Sequence, residues 1–155
     1  MAAKDRMSVL AAIMDQSVIP VFYHPDVDLC INVIQACADA GAKCVEFTNR
    51  GDFAAHVFYD VTKHFAKADP SVIMGVGSIV DAPTAGIYIA NGAKFVVSPL
   101  TSVETAKLCN RRGIPYSPGC GSATEIGDAQ ELGGQVTKVF PGSSAGGAEV
   151  VKCGV

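Results

Sequence analysis

The 155-residue sequence has few charged residues and no excess of basic ones. Charged side chains make up 17% of the chain, with 12 lysines and arginines against 15 aspartates and glutamates, and the formal net charge is −3. Because no basic surplus exists to neutralise a phosphate backbone, the composition argues against a nucleic-acid partner, while one phosphate group on a small molecule stays compatible with it. The 49% of hydrophobic residues argues against disorder, and we expect residues 1–155 to form one domain.

The sequence also lacks a long apolar run. No stretch approaches the roughly 18–20 residues needed to span a bilayer, so no membrane association is expected. Residues 1–16 mix charged and apolar side chains and lack the core of a signal peptide. These two features predict a cytoplasmic protein.

The cysteines include no CxxC pair and no set of ligands at zinc spacing. Most of them lie inside apolar runs, which in a cytoplasmic protein favours buried free thiols over disulfides. The six cysteines are Cys30, Cys37, Cys44, Cys109, Cys120 and Cys153.

One pattern repeats along the chain: a short β-branched run, a turn of small residues and a longer stretch with helical periodicity. The apolar runs begin about 20–28 residues apart, which is the length of one strand, one helix and two loops. The predicted strands are 18–23, 43–48, 71–76, 94–98, 114–117 and 135–140. The predicted helices are 26–40, 52–68, 82–91, 102–112 and 122–132.

Alternating strands and helices at this spacing predict an α/β fold with a parallel sheet, either an open doubly wound sheet or a TIM-type barrel. The dinucleotide motif GxGxxG does not follow the first strand, and Gly75-Val76-Gly77 lacks the third glycine. About six of the eight β/α units of a TIM-type barrel are visible.

Lys138 is the sharpest candidate for a reactive group, because it lies in the apolar stretch 136–141. A lysine inside a barrel loses solvation, which lowers its pKa, and a neutral amine can attack a carbonyl carbon to form an imine. The alternative is a lysine on an edge strand whose side chain points into water.

Glu46 is flanked by apolar residues within the second predicted strand, and Arg50 follows four residues later. A carboxyl group buried there would have a raised pKa and could carry protons, while the arginine could hold a substrate carboxylate. The alternative is that the two side chains pair with each other for structure. Glycine-rich turns at 75–78, 118–122 and 141–147 offer backbone amides for carboxylate or phosphate oxygens.

Five short motifs occur in an order and at a spacing that resemble the 2-keto-3-deoxy-6-phosphogluconate aldolase family, which includes 4-hydroxy-2-oxoglutarate aldolases. They are EFTNR at 46–50, GVGSIVD at 75–81, GAKFVVSP at 92–99, GIPYSPGCGSATE at 113–125 and TKVFPG at 137–142. The match in order and spacing covers essentially the whole chain, and several motifs in register are far more specific than any one of them.

The resemblance implies a role for each matching residue. Lys138 is similar to the Schiff-base lysine, Glu46 to the general acid and base, and Arg50 to the arginine that binds the substrate carboxylate. The other positions implied to bind substrate are Thr48, Gly77, Ser78, Pro99 and Phe140, with Ser78 standing where the family often has threonine.

The resemblance also implies the chemistry and the partners. We expect a class I aldolase that needs no metal or other cofactor, acts on a small 2-oxo acid that carries or lacks a phosphate, and assembles as a homotrimer. Because family members complete an eight-stranded barrel, we expect a version truncated at its carboxyl end. Two other functions stay open: a catalytically inactive assembly protein with the aldolase fold, and a phosphate-binding barrel isomerase.

Overall fold

A computed structural model describes residues 5–152, in which seven α-helices alternate with short parallel β-strands. The elements are α1 (Arg6–Gln16), β1 (Val21–Phe22), α2 (Val27–Asp39), β2 (Cys44–Thr48), α3 (Ala54–Ala68), β3 (Ile73–Gly77), α4 (Ala82–Ala90), β4 (Val96–Val97), α5 (Val103–Arg112), β5 (Tyr116–Ser117), β6 (Gly119–Cys120), α6 (Ala123–Glu131), β7 (Lys138–Val139) and α7 (Gly147–Lys152).

The strands follow one another around the sheet in the order of the sequence. One sheet has the order β1-β2-β3-β4-β5, and β6 pairs with β7, all in parallel. Pro118 separates β5 from β6 because it has no N–H for a ladder, yet its carbonyl accepts a hydrogen bond of 2.9 Å from the Lys138 amide. The two segments therefore act as one strand position, which pairs with β4 and then with β7.

This order distinguishes a barrel from a doubly wound sheet, in which the strand order reverses at a switch point. Six successive strand positions are present, and β1 and β7 do not pair with each other within residues 5–152. The predicted α/β fold with about six units of a TIM-type barrel is confirmed.

The two faces of the sheet bury different clusters because successive side chains of a strand alternate in direction. Val45 and Phe47 belong to the large cluster that the sheet forms with the surrounding helices. Cys44 packs on the inner face with Val9 of α1, in a cluster completed by Ile73, Phe95 and Val97. Since Cys44 and Ile73 begin β2 and β3, α1 covers the amino ends of the strands.

The end of α1 is attached to the sheet by one side chain. The Gln16 amide accepts a hydrogen bond of 2.7 Å from the Cys44 N–H and donates one of 2.9 Å to the Cys44 carbonyl. The side-chain amide thus imitates the backbone of a neighbouring strand and holds the beginning of β2.

The structure differs from the sequence predictions at several elements. Helix α1 was not predicted, whereas α7, which begins at Gly147, occupies the place expected for the helix of the sixth β/α unit. The turn predicted at 118–122 contains β6, because its backbone pairs with β7. The first strand is shorter than predicted because Ser17 adopts a left-handed conformation, with φ of 63°, and the Val18 amide bonds back to Gln16.

The cysteines in the part of the chain that the structure describes are thiols, as predicted. Cys30, Cys37, Cys109 and Cys120 are free, and all of these except the half-buried Cys37 are buried; Cys44 is also buried, and Cys153 lies outside the described residues. Burial raises the pKa of the Cys109 thiol to about 11, which keeps it protonated. None of the helices between residues 5 and 152 combines the length and the apolar character that a bilayer-spanning segment requires.

Candidate active site

Glu46 and Lys138 line the same cavity, which has a volume of about 320 Å³. Glu46 is the central residue of β2, and because Val45 and Phe47 face the helices, alternation turns its side chain to the inner face. Lys138 begins β7, where its backbone amide is fixed by the Pro118 carbonyl. The fold therefore brings an acid and an amine from distant parts of the chain to this one cavity, which we call the chamber.

The walls of this chamber are largely apolar. Val97 and Tyr116 come from β4 and β5, Phe95 directly precedes β4, and Leu10 and Ile13 of α1 close the amino end. Such walls solvate charges poorly, so both ionisable groups are biased toward their neutral forms.

Burial shifts the pKa of the two groups in opposite directions. Glu46 is 7% exposed, and burial raises the pKa of its carboxyl group, an effect that the positive charges of Lys138 and Arg50 partly offset. Burial lowers the pKa of the half-buried Lys138 ammonium; the Glu46 charge opposes this effect and the Arg50 charge adds to it. Burial therefore favours the protonated carboxyl group of Glu46 and the neutral amine of Lys138, compared with the same side chains in water.

The carboxylate of Glu46 lies against the backbone of Gly77 on the neighbouring strand. A Cβ atom on Gly77 would overlap with Glu46 Oε1, because the two would be closer than nonbonded atoms can approach. Gly77, predicted as a substrate-binding residue, thus forms the surface on which the Glu46 carboxylate rests.

Arg50 and Ser78 meet at the carboxyl ends of β2 and β3. The exposed Arg50 side chain donates from Nε to Ser78 Oγ at 3.3 Å, and Ser78 adopts the left-handed conformation, with φ of 60°. In the described residues no ion pair within 4.0 Å joins Glu46 to Arg50, so the structure does not show the alternative in which they pair. Arg50 is not among the residues that line the chamber, but its positive charge lowers the pKa of both Glu46 and Lys138.

The remaining predicted residues have different surroundings. The Thr48 hydroxyl is buried and donates to the Phe22 carbonyl at 3.4 Å, so it ties β2 to β1. Phe140 contacts Lys138, whose Nζ lies 4.4 Å from the centre of the aromatic ring. Pro99 and Phe140 line a second cavity, of about 890 Å³, which extends toward α6.

Sequence reasoning missed the contribution of α1 to the chamber. The apolar residues Val9, Ala12 and Ile13 have helical spacing, and Asp5 accepts a hydrogen bond from the Ser8 amide as an N-cap. That signal was present in the sequence. The roles of Gly77 and Tyr116 in shaping the chamber depend on contacts between strands and had no local signal.

Among residues 5–152, no group of three histidine, cysteine, aspartate or glutamate side chains lies close enough together to hold a metal ion. The groups that the fold does bring together are an acid, an amine and a nearby guanidinium. On a (β/α)-barrel, such groups are the ones that imine formation with a carbonyl substrate would need.

The family model described as KDPG and KHG aldolase matches residues 9–154. The chain therefore belongs to this family, whose members are lyases.

Curated relatives agree with this assignment. The chain is 32% identical over 145 residues to the 2-dehydro-3-deoxy-phosphogluconate aldolase of Treponema pallidum, a match that covers 94% of this chain and 67% of the relative. It is 30% identical to the enzyme of the same name from Pseudoalteromonas atlantica, over 87% of this chain and 61% of that protein. The chain thus spans about two thirds of the length of these relatives.

A solved structure is also similar. The KDPG aldolase from Legionella pneumophila, with pyruvate captured at low pH as a covalent carbinolamine intermediate, superposes with a TM-score of 0.83 and 25% identity. The match covers 97% of this chain and 69% of that chain.

Proposed function

We propose that the protein is a class I aldolase in which Lys138 forms a Schiff base with a 2-oxo acid. The substrate resembles 2-keto-3-deoxy-6-phosphogluconate or 4-hydroxy-2-oxoglutarate, and the products are pyruvate and an aldehyde. The observation that carries the proposal is the shared chamber of Lys138 and Glu46, in which burial lowers the pKa of the amine and raises that of the acid.

Imine formation begins with the neutral Lys138 amine. Its nitrogen lone pair forms a bond to the C2 carbon of the substrate, and the electron pair of the C=O double bond moves to oxygen, which takes a proton to give a carbinolamine. Protonation of the carbinolamine hydroxyl lets it leave as water, and the nitrogen lone pair forms the C=N bond of the iminium. The lowered pKa of Lys138 supports this step, because a larger fraction of the amine is neutral at a given pH.

Cleavage of the carbon–carbon bond uses the iminium as an electron sink. Loss of the proton from the C4 hydroxyl forms the aldehyde C=O bond as the C3–C4 bond breaks, and the electron pair of that bond forms the enamine. Glu46 accepts the hydroxyl proton and later returns one to C3. A carboxyl group with a raised pKa suits this exchange, because its proton affinity moves closer to neutral pH.

Arg50 and Phe140 complete the proposed site. Arg50 lies at the carboxyl end of β2, where a guanidinium can pair with the substrate carboxylate through two hydrogen bonds. The Phe140 ring lies over the Lys138 amine and favours a positive charge there. The pyruvate carbinolamine in the Legionella pneumophila relative supports the same covalent chemistry for this chain.

Reductive trapping tests the proposal. Incubation with pyruvate and borohydride should add about 72 Da to the intact protein, the mass of a reduced pyruvate imine, at Lys138. Lys138→Met should abolish the adduct. The matched control is Lys107→Met, since Lys107 is exposed on α5 and outside the chamber, and this variant should be trapped like the wild type.

If the mass of the wild-type protein is unchanged after borohydride treatment at saturating pyruvate, the proposal is wrong for this chain. A modification that persists in Lys138→Met would show that another amine reacts and that the chamber is not the site.

A further inference from the structure

The Arg50 side chain has little to hold it in place by itself. It is exposed, and its hydrogen bond to Ser78 has a length of 3.3 Å, near the upper limit for such a contact. A long side chain at the surface loses considerable rotamer entropy when it is fixed. The direction of the guanidinium must therefore depend on how firmly the backbone of residues 49–51 is held.

The residue before Arg50 is anchored by a buried tyrosine. The Tyr88 hydroxyl on α4 donates to Asn49 Oδ1 at 2.9 Å, and the Asn49 amide donates to the Gly77 carbonyl, also at 2.9 Å. Tyr88 is 1% exposed and meets Phe58 edge to face, with ring centres 5.1 Å apart. Burial and the nearby Tyr23 raise the pKa of Tyr88 to about 12, so its hydroxyl remains a donor.

The residue after Arg50 rests on a second tyrosine. A Cβ atom on Gly51 would overlap with the Tyr23 hydroxyl oxygen, so the Gly51 backbone lies directly on this side chain. The Tyr23 ring packs against Phe47 of β2, with centres 5.5 Å apart. The backbone is therefore supported on both sides of Arg50 by tyrosines, Tyr88 and Tyr23, which belong to the aromatic cluster between the sheet and the helices.

We infer that Tyr88 is a positioning residue for the carboxylate-binding site, which acts through Asn49 to set the direction of Arg50. The inference rests on the proposed role of Arg50. Two contacts support the backbone around Arg50: the Tyr88–Asn49 hydrogen bond and the packing of Gly51 on Tyr23. The hydrogen bond has a defined direction, and it fixes the side chain of Asn49, whose backbone is already bonded to Gly77 of β3.

Tyr88→Phe tests the inference, since it removes the hydroxyl and keeps the ring that packs on Phe58. The pyruvate concentration that gives half-maximal trapping should rise about three- to tenfold, the effect of one lost hydrogen bond. The extent of trapping at saturation should stay unchanged. Pyruvamide, which lacks the carboxylate, should be trapped by the variant and the wild type at equal concentrations.

Two further variants separate positioning from a general structural effect. Tyr59→Phe is the matched control, because Tyr59 is exposed on α3, and its half-maximal pyruvate concentration should equal that of the wild type. In an Arg50→Met background, Tyr88→Phe should cause no further rise. A rise of the same size in that background would overturn the inference, because Tyr88 would then act by a route other than Arg50.

Nuclear magnetic resonance gives a readout that does not depend on the reaction. The heteronuclear Overhauser effect of the Arg50 Nε–H group should fall in Tyr88→Phe and stay constant in Tyr59→Phe. An unchanged Arg50 signal in Tyr88→Phe would overturn the inference even if pyruvate is trapped. If the wild type forms no adduct but the Arg50 signal responds to Tyr88→Phe, the proposed reaction fails while the positioning role stands.

Discussion

The Glu46 carboxylate occupies the space that a side chain on Gly77 would need. Glu46 Oε1 lies so close to the Gly77 backbone that no room remains for even the smallest substituent. Since Gly77 pairs with Thr48 in a parallel ladder, the backbone of β3 cannot easily move away. The Glu46 carboxylate can thus occupy its position only because the residue beside it on β3 is a glycine.

Gly77→Ala is therefore expected to displace the Glu46 carboxylate and to slow turnover about a hundredfold or more, the usual contribution of a positioned acid and base. Steady-state assay of aldol cleavage measures the effect. Gly127→Ala is the matched control, because a Cβ atom there meets nothing within 4 Å, and alanine favours a helix. Equal activity of Gly77→Ala and Gly127→Ala would contradict the assigned contact.

Phe140→Leu should lower the pKa of Lys138 further. The ring at 4.4 Å from Nζ stabilises the ammonium form, and leucine keeps an apolar contact without the aromatic face. The pH at which pyruvate trapping is half-maximal should fall by about half a unit, if the ring contributes as an exposed cation–π contact does. Phe140→Tyr retains the ring and should keep the wild-type profile; an upward shift in Phe140→Leu would show that the ring acts mainly by excluding water.

Glu46→Gln should change how stability depends on pH. A raised pKa means that the folded protein binds the Glu46 proton more tightly than the unfolded chain does. The free energy of unfolding therefore falls as the pH rises above 4.5, the ordinary pKa of a glutamate carboxyl group. Glutamine has no such dependence. We expect equal free energies of unfolding for variant and wild type near pH 4 and a more stable variant at pH 7.

Urea denaturation at the two pH values measures this difference. Glu131→Gln, on the exposed face of α6, should leave the pH profile unchanged. If Glu46→Gln loses stability as pH rises, then the attraction of Lys138 and Arg50 for the carboxylate exceeds the effect of burial.

Much of the barrel could be predicted from local patterns. The alternation of apolar runs and helical stretches identified β2 to within one residue and β3 to within two, because these strands are buried on both faces. The same pattern indicated that Glu46 and Lys138 would be desolvated, and the directions of their pKa shifts agree. Family motifs added roles that periodicity could not supply, and those roles remain predictions for the trapping experiment.

The contacts that shape the site could not be predicted in this way. Tyr88 and Asn49 come from different β/α units, and nothing in either segment indicates that they meet. The left-handed conformation of Ser78 is unusual for a residue other than glycine, so no local pattern indicated it. Local patterns also overextended the strands, since residues such as Val18 are apolar but lie in turns that side chains of α1 stabilise.

The chamber between α1 and β7 has a consequence for the order of events in folding. Its floor comes from Leu10 and Ile13, its acid from β2 and its amine from β7, so the amino-terminal half of the chain does not contain a site by itself. During synthesis the acid is in place well before the amine emerges, and contacts so distant in sequence form late. Reactivity toward a 2-oxo acid should therefore appear when β7 pairs with β6, so it reports chemically that this strand has docked on the sheet.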